Sequence, residues 1–219
     1  MRPVVAIDGP SGAGKSTVAD GVAAALRFDM LDTGAMYRAV TLAVLDAGAD
    51  PRDEAACAAI AQRVAIDQRG GTTLLDGRDV SAAIRGPDVT ATVSTVSAHP
   101  SVRAVLVAHQ RGWVAARPGG VVEGRDIGTV VIPDAAVKVF LTASAVERAR
   151  RRRDEAQPSA EVGEVEAELG RRDELDRTRA ASPLQPAPDA LRIDTTGRPV
   201  DEVVRRIVNA FRARTAAPR

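Results

Sequence analysis

This 219-residue chain has one cysteine, two histidines, two lysines and one asparagine. Cys57 can form no intramolecular disulfide and belongs to no cysteine metal cluster, so it is expected as a small buried or half-buried filler. His99 and His109 are too few and too isolated for a zinc site, and are expected on the surface or in helix packing. No apolar run is long enough to span a bilayer, and an apolar strand begins almost at the first residue, where a signal peptide would stand. A cytoplasmic location follows as the expectation. The formal net charge of +1 gives no global electrostatic case for a nucleic acid polymer or a membrane surface as partner. Asn209 is followed by alanine, so the N-K-x-D motif of guanine-nucleotide switches is absent. No internal repeat is present. Lys15 and Lys138 stand among 30 basic residues, the rest arginine. Coding-genome base composition alone can produce that bias, but one of the two lysines lies where the most specific motif in the chain needs it.

That motif is Gly9-Pro10-Ser11-Gly12-Ala13-Gly14-Lys15-Ser16-Thr17, a match to G-x-x-x-x-G-K-[ST]. Val4 to Asp8 before it reads as a short buried strand. Thr17 to Leu26 after it carries Val18, Val22, Ala25 and Leu26 at helical spacing. The glycines let several backbone N–H groups converge on one anion, and the helix N-terminus adds its partial positive charge. Lys15 is expected to reach the outer phosphates of ATP, and the Ser16 hydroxyl to ligate the Mg²⁺ that accompanies it.

Further along, Phe28 to Asp32 reads as a second extended piece. Asp32 or Thr33 caps a helix whose apolar face is Met36, Ala39, Val40, Ala43 and Val44, ending near Gly48. A helix from Asp53 to about Val64 follows. Arg69-Gly70-Gly71 and Asp76-Gly77 are hairpin signals, so residues 66–80 are expected as three antiparallel strands. Residues 81–97 read as helix in two pieces broken at Gly86-Pro87, and Pro100 opens a helix to about Arg117. Strands are expected at Gly120 to Gly124, Val137 to Leu141 and Leu191 to Asp194, with an amphipathic helix from Pro199 to Arg212. Apolar strands separated by helices predict an α/β fold with a parallel sheet covered on both sides. Ser144 to Arg179 is charge-dense and poor in large apolar residues, as a mobile lid would be.

Three arginine-bearing segments narrow the chemistry. Arg38 follows Asp32-Thr33-Gly34 in the first turns of a helix at a strand's carboxyl end, where open α/β sheets bind ligands. Surface pairing with an acid would also explain it. Arg125 and Asp126 stand between glycines beyond another strand; the first offers a planar fork for phosphate, the second an acceptor for an amine or hydroxyl. Arg148, Arg150, Arg151, Arg152 and Arg153 form a run that is either a solvated helix face or a positive patch closing over a charged group. Arg172, Asp176 and Arg179, spaced i, i+4 and i+7, share one helix face. They either pair among themselves or present two cations and an acceptor to a nucleotide. Phosphoryl transfer is the reaction that uses such a set, since its transition state spreads negative charge and needs water excluded.

Taken together these segments resemble the bacterial cytidylate kinases, in order and over nearly the whole chain. The resemblance implies a P-loop fold with a five-stranded parallel core at residues 1–62, 100–143 and 180–219. A monophosphate-binding insert at about 63–99 and a helical lid at about 144–179 would complete it. It implies transfer of the γ-phosphate of ATP to CMP or dCMP, with Mg²⁺, in pyrimidine nucleotide metabolism. Thr33, Arg38 and Arg125 would hold the CMP phosphate beside Asp32; Ser94, Arg103 and Asp126 would read cytosine; Arg172 and Asp176 would contact the sugar and Arg179 the phosphates. Lys15, Arg125, Arg148, Arg151 and Arg152 would act on the transferring group. Thr33 stands where many relatives have serine, which keeps the hydroxyl. A monomer is expected. The competing readings are a P-loop kinase for another monophosphate or metabolite, and a non-kinase nucleotide switch.

Overall fold

Val4 to Ile7 are buried on both faces, as a strand must be when it lies inside a sheet with helices against it. They form β1 (Arg2–Asp8), the middle of a five-stranded sheet whose order is β2 (Asp29–Asp32), β6 (Gly120–Gly124), β1, β7 (Ala135–Thr142), β8 (Leu191–Asp194). β1 runs parallel to β6 and to β7, and β7 parallel to β8, so the fold is α/β as the alternation predicts. The computed structural model describes residues 2–156, 159–179 and 181–216. It divides into two units, Met1–Leu31 with Val114–Arg219, and Asp32–Trp113.

In the first unit α1 (Lys15–Leu26) and α8 (Val200–Ala216) pack together against the sheet. Val18 and Val22 of α1, and Ile207 and Phe211 of α8, share one core with Ile7, Val139 and Leu141. A Cβ on Gly21 would meet Val204 Cγ2 at 2.8 Å, so glycine sets how closely the two helices approach. Phe28 meets Phe211 edge to face at 5.5 Å between ring centroids. The charge-dense segment forms two helices, α6 (Ala145–Ala156) and α7 (Val162–Thr178), around a small cluster of Ala149, Val165 and Leu169.

The second unit holds α2 (Thr33–Asp46), α3 (Glu54–Arg63), the antiparallel β3 (Ile66–Arg69), β4 (Thr72–Leu75) and β5 (Arg78–Asp79), then α4 (Pro87–Ala98) and α5 (Pro100–Ala115). The three-strand expectation holds, with positive φ at Gly70, Gly71, Asp76 and Gly77 making the turns. The unit takes in the expected insert at 63–99 together with helices on either side of it. Asp32 and Asp53 cap α2 and α3 by accepting from Ala35 N and Ala56 N, each at 3.0 Å. Cys57 is fully buried on α3, and His99 Nε2 lies 2.8 Å from the Pro51 carbonyl.

Candidate active site

Because β1 lies between the parallel strands β6 and β7, the segments leaving their carboxyl ends emerge at one edge of the sheet. Those segments are the phosphate loop after Asp8, the Arg125–Asp126 turn after Gly124, and the start of α6 after Thr142. The loop is held closely on both sides. A Cβ at Gly9 would collide with the Leu141 carbonyl, and one at Gly12, where φ is +75°, would meet the Arg148 carbonyl oxygen at 2.8 Å. Lys15 is buried and donates from Nζ to the Pro10 carbonyl at 2.9 Å, while Ser16 and Thr17 are exposed in the first turn of α1.

Around the loop the charged side chains form one network. Arg125 donates from Nη2 to Ser11 Oγ at 2.7 Å and from Nε to Asp176 Oδ2 at 2.8 Å. Burial pulls the Arg125 pKa down, but the facing Asp176, with Asp173 and Glu123 behind it, makes the net shift upward. Asp176 shows the converse: burial raises it, but Arg125, with Arg172 and Arg179, brings its pKa below the ordinary carboxylate value. Arg179 ion-pairs at 3.7 Å with both Asp126 and Asp176 and donates to the Ser182 carbonyl at 2.5 Å.

Arg172 Nε, like Arg148 Nε, is buried without a hydrogen-bond partner among the described residues. Burial first, then the neighbouring Arg125 and Arg152 charges, push the Arg172 pKa down to about 10 against the opposing pull of Asp176 and Asp173. A cation crowded by like charges and with one nitrogen left without an acceptor is suited to an incoming anion.

The remaining lid arginines differ. Arg148 donates to the Ser11 carbonyl at 3.1 Å and to Asp173, whose other oxygen accepts from Ser11 N at 3.3 Å. Arg151 pairs with Glu147 and donates to the Oγ1 and carbonyl of Thr195, whose hydroxyl reaches the Ala13 carbonyl at 3.1 Å. Arg152 is half-buried beside Arg172.

Asp8 is 3% exposed at the end of β1, and its two oxygens accept from Ile127 N and Gly128 N, each at 2.8 Å. These amides open a single π-type turn, Ile127–Val131, directly after Asp126. Burial pushes the Asp8 pKa up to about 6; the two amide bonds resist that shift, Asp126 adds to it and Lys15 opposes it. Both carboxylate oxygens being taken, Asp8 serves the backbone of the turn. Among the described residues no group of three His, Cys, Asp or Glu side chains could hold a metal ion. The donors present, one exposed serine hydroxyl in the first turn of α1, suit a Mg²⁺ whose other ligands are phosphate oxygens and water.

In the second unit Thr33 is buried in the first turn of α2. Gln68 on β3 brackets the preceding residue, accepting from Asp32 N at 2.9 Å and donating to the Asp32 carbonyl at 2.7 Å. Arg38 donates from Nη1 to the Ile84 carbonyl at 3.0 Å and to Thr90 Oγ1 at 2.9 Å. The Arg103 guanidinium lies 5.4 Å over the Tyr37 ring, and Ser94 is half-buried on α4. Gln110, seven residues after Arg103 on α5, is buried with both amide atoms unpartnered among the described residues. Sequence reasoning missed Gln68, Tyr37, Gln110, Asp173 and Thr195. Of these Tyr37 and Asp173 sit inside segments that the sequence had singled out, the first beside Arg38 and the second beside Arg172.

Residues 5–213 match the family described as "Cytidylate kinase". The chain is 52% identical to a cytidylate kinase of Mycobacterium avium, over 99% of this chain and 98% of that one. It is 50% identical to one of Corynebacterium glutamicum, over 96% and 94%. A bifunctional pantoate ligase/cytidylate kinase of Synechococcus matches at 46% identity over 98% of this chain but 46% of its own length. Among solved structures a gluconokinase from Sinorhizobium meliloti superposes with a TM-score of 0.52 at 16% identity, over 99% of this chain and 95% of that one, a likeness of fold. With a family match over almost its full length and relatives half identical to it, the chain belongs to the cytidylate kinase family.

Proposed function

We propose that this chain transfers the γ-phosphate of ATP to CMP or dCMP, giving ADP and CDP or dCDP. The observation that carries the reading is Arg172, a half-buried guanidinium whose Nε is unpartnered among the described residues and which is crowded by Arg125 and Arg152 beside the phosphate-loop network. Such a cluster is unfavourable until a polyanion enters it, and the substrates of this reaction are polyanions.

The acceptor phosphate is itself the nucleophile, so no protein base is needed. Gly9 to Thr17 cradle the ATP phosphates and Lys15 turns from the Pro10 carbonyl to the outer ones. Arg125, Arg148, Arg151 and Arg152 meet the charge that develops on the transferring oxygens, and Arg151 also braces the loop through Thr195. Mg²⁺ bound with ATP supplies charge neutralisation, and Ser16 is the residue that would hold it. Thr33 and Arg38 take the CMP phosphate with Arg125, Asp32 fixing the helix start beside them. Arg172 and Asp176 take the sugar and Arg179 the phosphates. Asp126 accepts from the exocyclic amine of cytosine, while Arg103 and Ser94 donate to its ring acceptors.

The proposal keeps the division into core (1–62, 100–143, 180–219), CMP-binding insert (63–99) and lid (144–179). The enzyme acts as a cytoplasmic monomer on small nucleotides, without nucleic acid or membrane partners. No helix among the described residues is long and apolar enough to cross a membrane. The test is ADP release with Mg²⁺ and ATP, offering CMP, dCMP, UMP, AMP and GMP separately. Turnover confined mainly to CMP and dCMP is expected. Turnover with another acceptor rejects the base-reading assignment, and hydrolysis indifferent to every acceptor rejects the kinase reading.

A further inference from the structure

We propose that Asp173 is a positioning residue that serves as the phosphate loop's internal counter-anion and holds the lid arginine Arg148 against that loop until nucleotide arrives. The assignment rests on the kinase reading above. Three contacts carry it. One Asp173 oxygen accepts from the backbone N–H of Ser11, a donor of the phosphate loop itself. The other accepts from Arg148, whose same nitrogen also donates to the Ser11 carbonyl. The Asp173 side chain is 4% exposed and that of Arg148 13%, so the pair is held in a poorly solvated place. An anion that accepts at once from a loop N–H and a lid guanidinium has the bonding of a phosphoryl oxygen. Here the anion is covalently part of α7.

Ordinary helix-surface pairing does not explain this arrangement. Arg148 lies on α6, Asp173 on α7 and Ser11 in the loop, so one carboxylate ties three elements together. The packing is close as well, since the Arg148 backbone lies where a side chain on Gly12 would have to go. Asp173 therefore does two things with opposite effects on ligand. It places a negative charge beside the site of an incoming polyanion, which weakens ground-state binding of ATP. It also keeps Arg148 beside the loop, so that the guanidinium is already at hand when nucleotide displaces the carboxylate, which favours the transition state.

Removing the charge alone separates the two effects. Asp173→Asn is expected to tighten Mg·ATP binding about tenfold in calorimetric titration. It should lower kcat with CMP by about 10²-fold, because Arg148 is no longer delivered to the loop before nucleotide binds. A fall in Kd together with a fall in kcat is a signature that loss of a structural brace does not give. A brace would weaken ATP binding and lower the melting temperature together, and that result overturns the proposal, as does an unchanged Kd. Binding is measured with Mg·ATP alone, so a wild-type chain that binds ATP but fails to phosphorylate CMP defeats the kinase reading and leaves the Asp173 test standing. If Asp173→Asn does not fold, the wild-type chain carries the test by NMR. Mg·ATP must then shift both the Asp173 Cγ and the Arg148 Nε resonances, and a pair that stays in place overturns the assignment.

Discussion

Arg172 and Asp8 are both held in environments that disfavour their charge, and each gives a measurable consequence. For Arg172, burial and two neighbouring guanidinium groups bring the pKa down to about 10, with Nε unpartnered among the described residues. Replacing it by a side chain of similar length without charge relieves that repulsion. Arg172→Met is therefore expected to raise the melting temperature of the nucleotide-free protein, at about 2–4 °C per kcal/mol for a chain of this size. It should lower kcat/KM for CMP by about 10²-fold or more, since a charge-assisted contact to substrate is lost. Scanning calorimetry beside steady-state kinetics checks both; a variant less stable than wild type would mean that Arg172 is paired in the free protein. For Asp8 the sign is equally definite. Its folded-state pKa of about 6 lies above the ordinary 3.8, so between these values the native state binds more protons than the unfolded one. Stability from this group is greatest below about pH 4 and is lost as pH rises through 6, by about 3 kcal/mol in all. Asp8→Asn abolishes that dependence. Urea unfolding at pH 4.5 and pH 7 should show the wild type gaining on the variant as pH falls, and a difference that does not move with pH rejects the assignment.

At the scale of elements, the phosphate loop and α6 are joined through a glycine. Gly12 has φ +75° and leaves no room for a Cβ against the Arg148 carbonyl. Gly12→Ala must strain the loop or push α6 away, and either raises KM for ATP; about tenfold is expected, with thermal stability falling by roughly 1 kcal/mol. A variant with wild-type KM would show that loop and helix part freely. The lid helices themselves are weakly anchored: among the described residues they share a cluster of three buried apolar side chains, where the sheet core has seventeen. Amide hydrogen exchange should be fastest across α6 and α7 in the free protein and slow there most on adding Mg·ATP. Exchange in α6 and α7 as slow as in β1 and β7 would remove the mobile-lid reading.

These elements also mark what the sequence could disclose. A short apolar run before the phosphate loop, Gly-Gly and Asp-Gly turns and Pro at helix starts located β1, the three-strand unit and α4 and α5, because each signal is local. The π-type turn after Asp126 left no trace, since its geometry depends on a carboxylate from β1 that arrives through tertiary packing. The same holds for Asp173. Spacing put Arg172, Asp176 and Arg179 on one face of α7, but its bond to Ser11 is a contact between distant parts of the chain. Arg148 and Arg151 were indistinguishable within a run of arginines. Only the fold shows that one faces the loop through Asp173 and the other is tied to Thr195.

For the whole molecule, a net charge of +1 conceals a strongly uneven distribution, with Arg125, Arg148, Arg152, Arg172 and Arg179 gathered about one loop in the first unit. Ligands that satisfy this cluster bind the folded chain and not the unfolded one, so they stabilise by mass action. At a hundred times Kd the gain is about 2.7 kcal/mol, which for a chain of this length is a rise of about 5–10 °C in melting temperature. Mg·ATP and CMP, offered separately, are each expected to give such a shift. UMP is the discriminating ligand. It carries the same sugar and phosphate, so the arginines treat it as they treat CMP, but a carbonyl replaces the amine that Asp126 would accept from. A buried carboxylate facing a carbonyl loses a donor and gains a repulsion, a difference of about 1–3 kcal/mol or more. UMP at the same concentration should therefore shift the melting temperature by several degrees less than CMP. Replacing Asp126 by asparagine, which can donate to that carbonyl, should narrow the gap from both sides. Equal stabilisation of the wild type by UMP and CMP would mean that Asp126 does not read the base and that selectivity, if any, arises elsewhere in the chain.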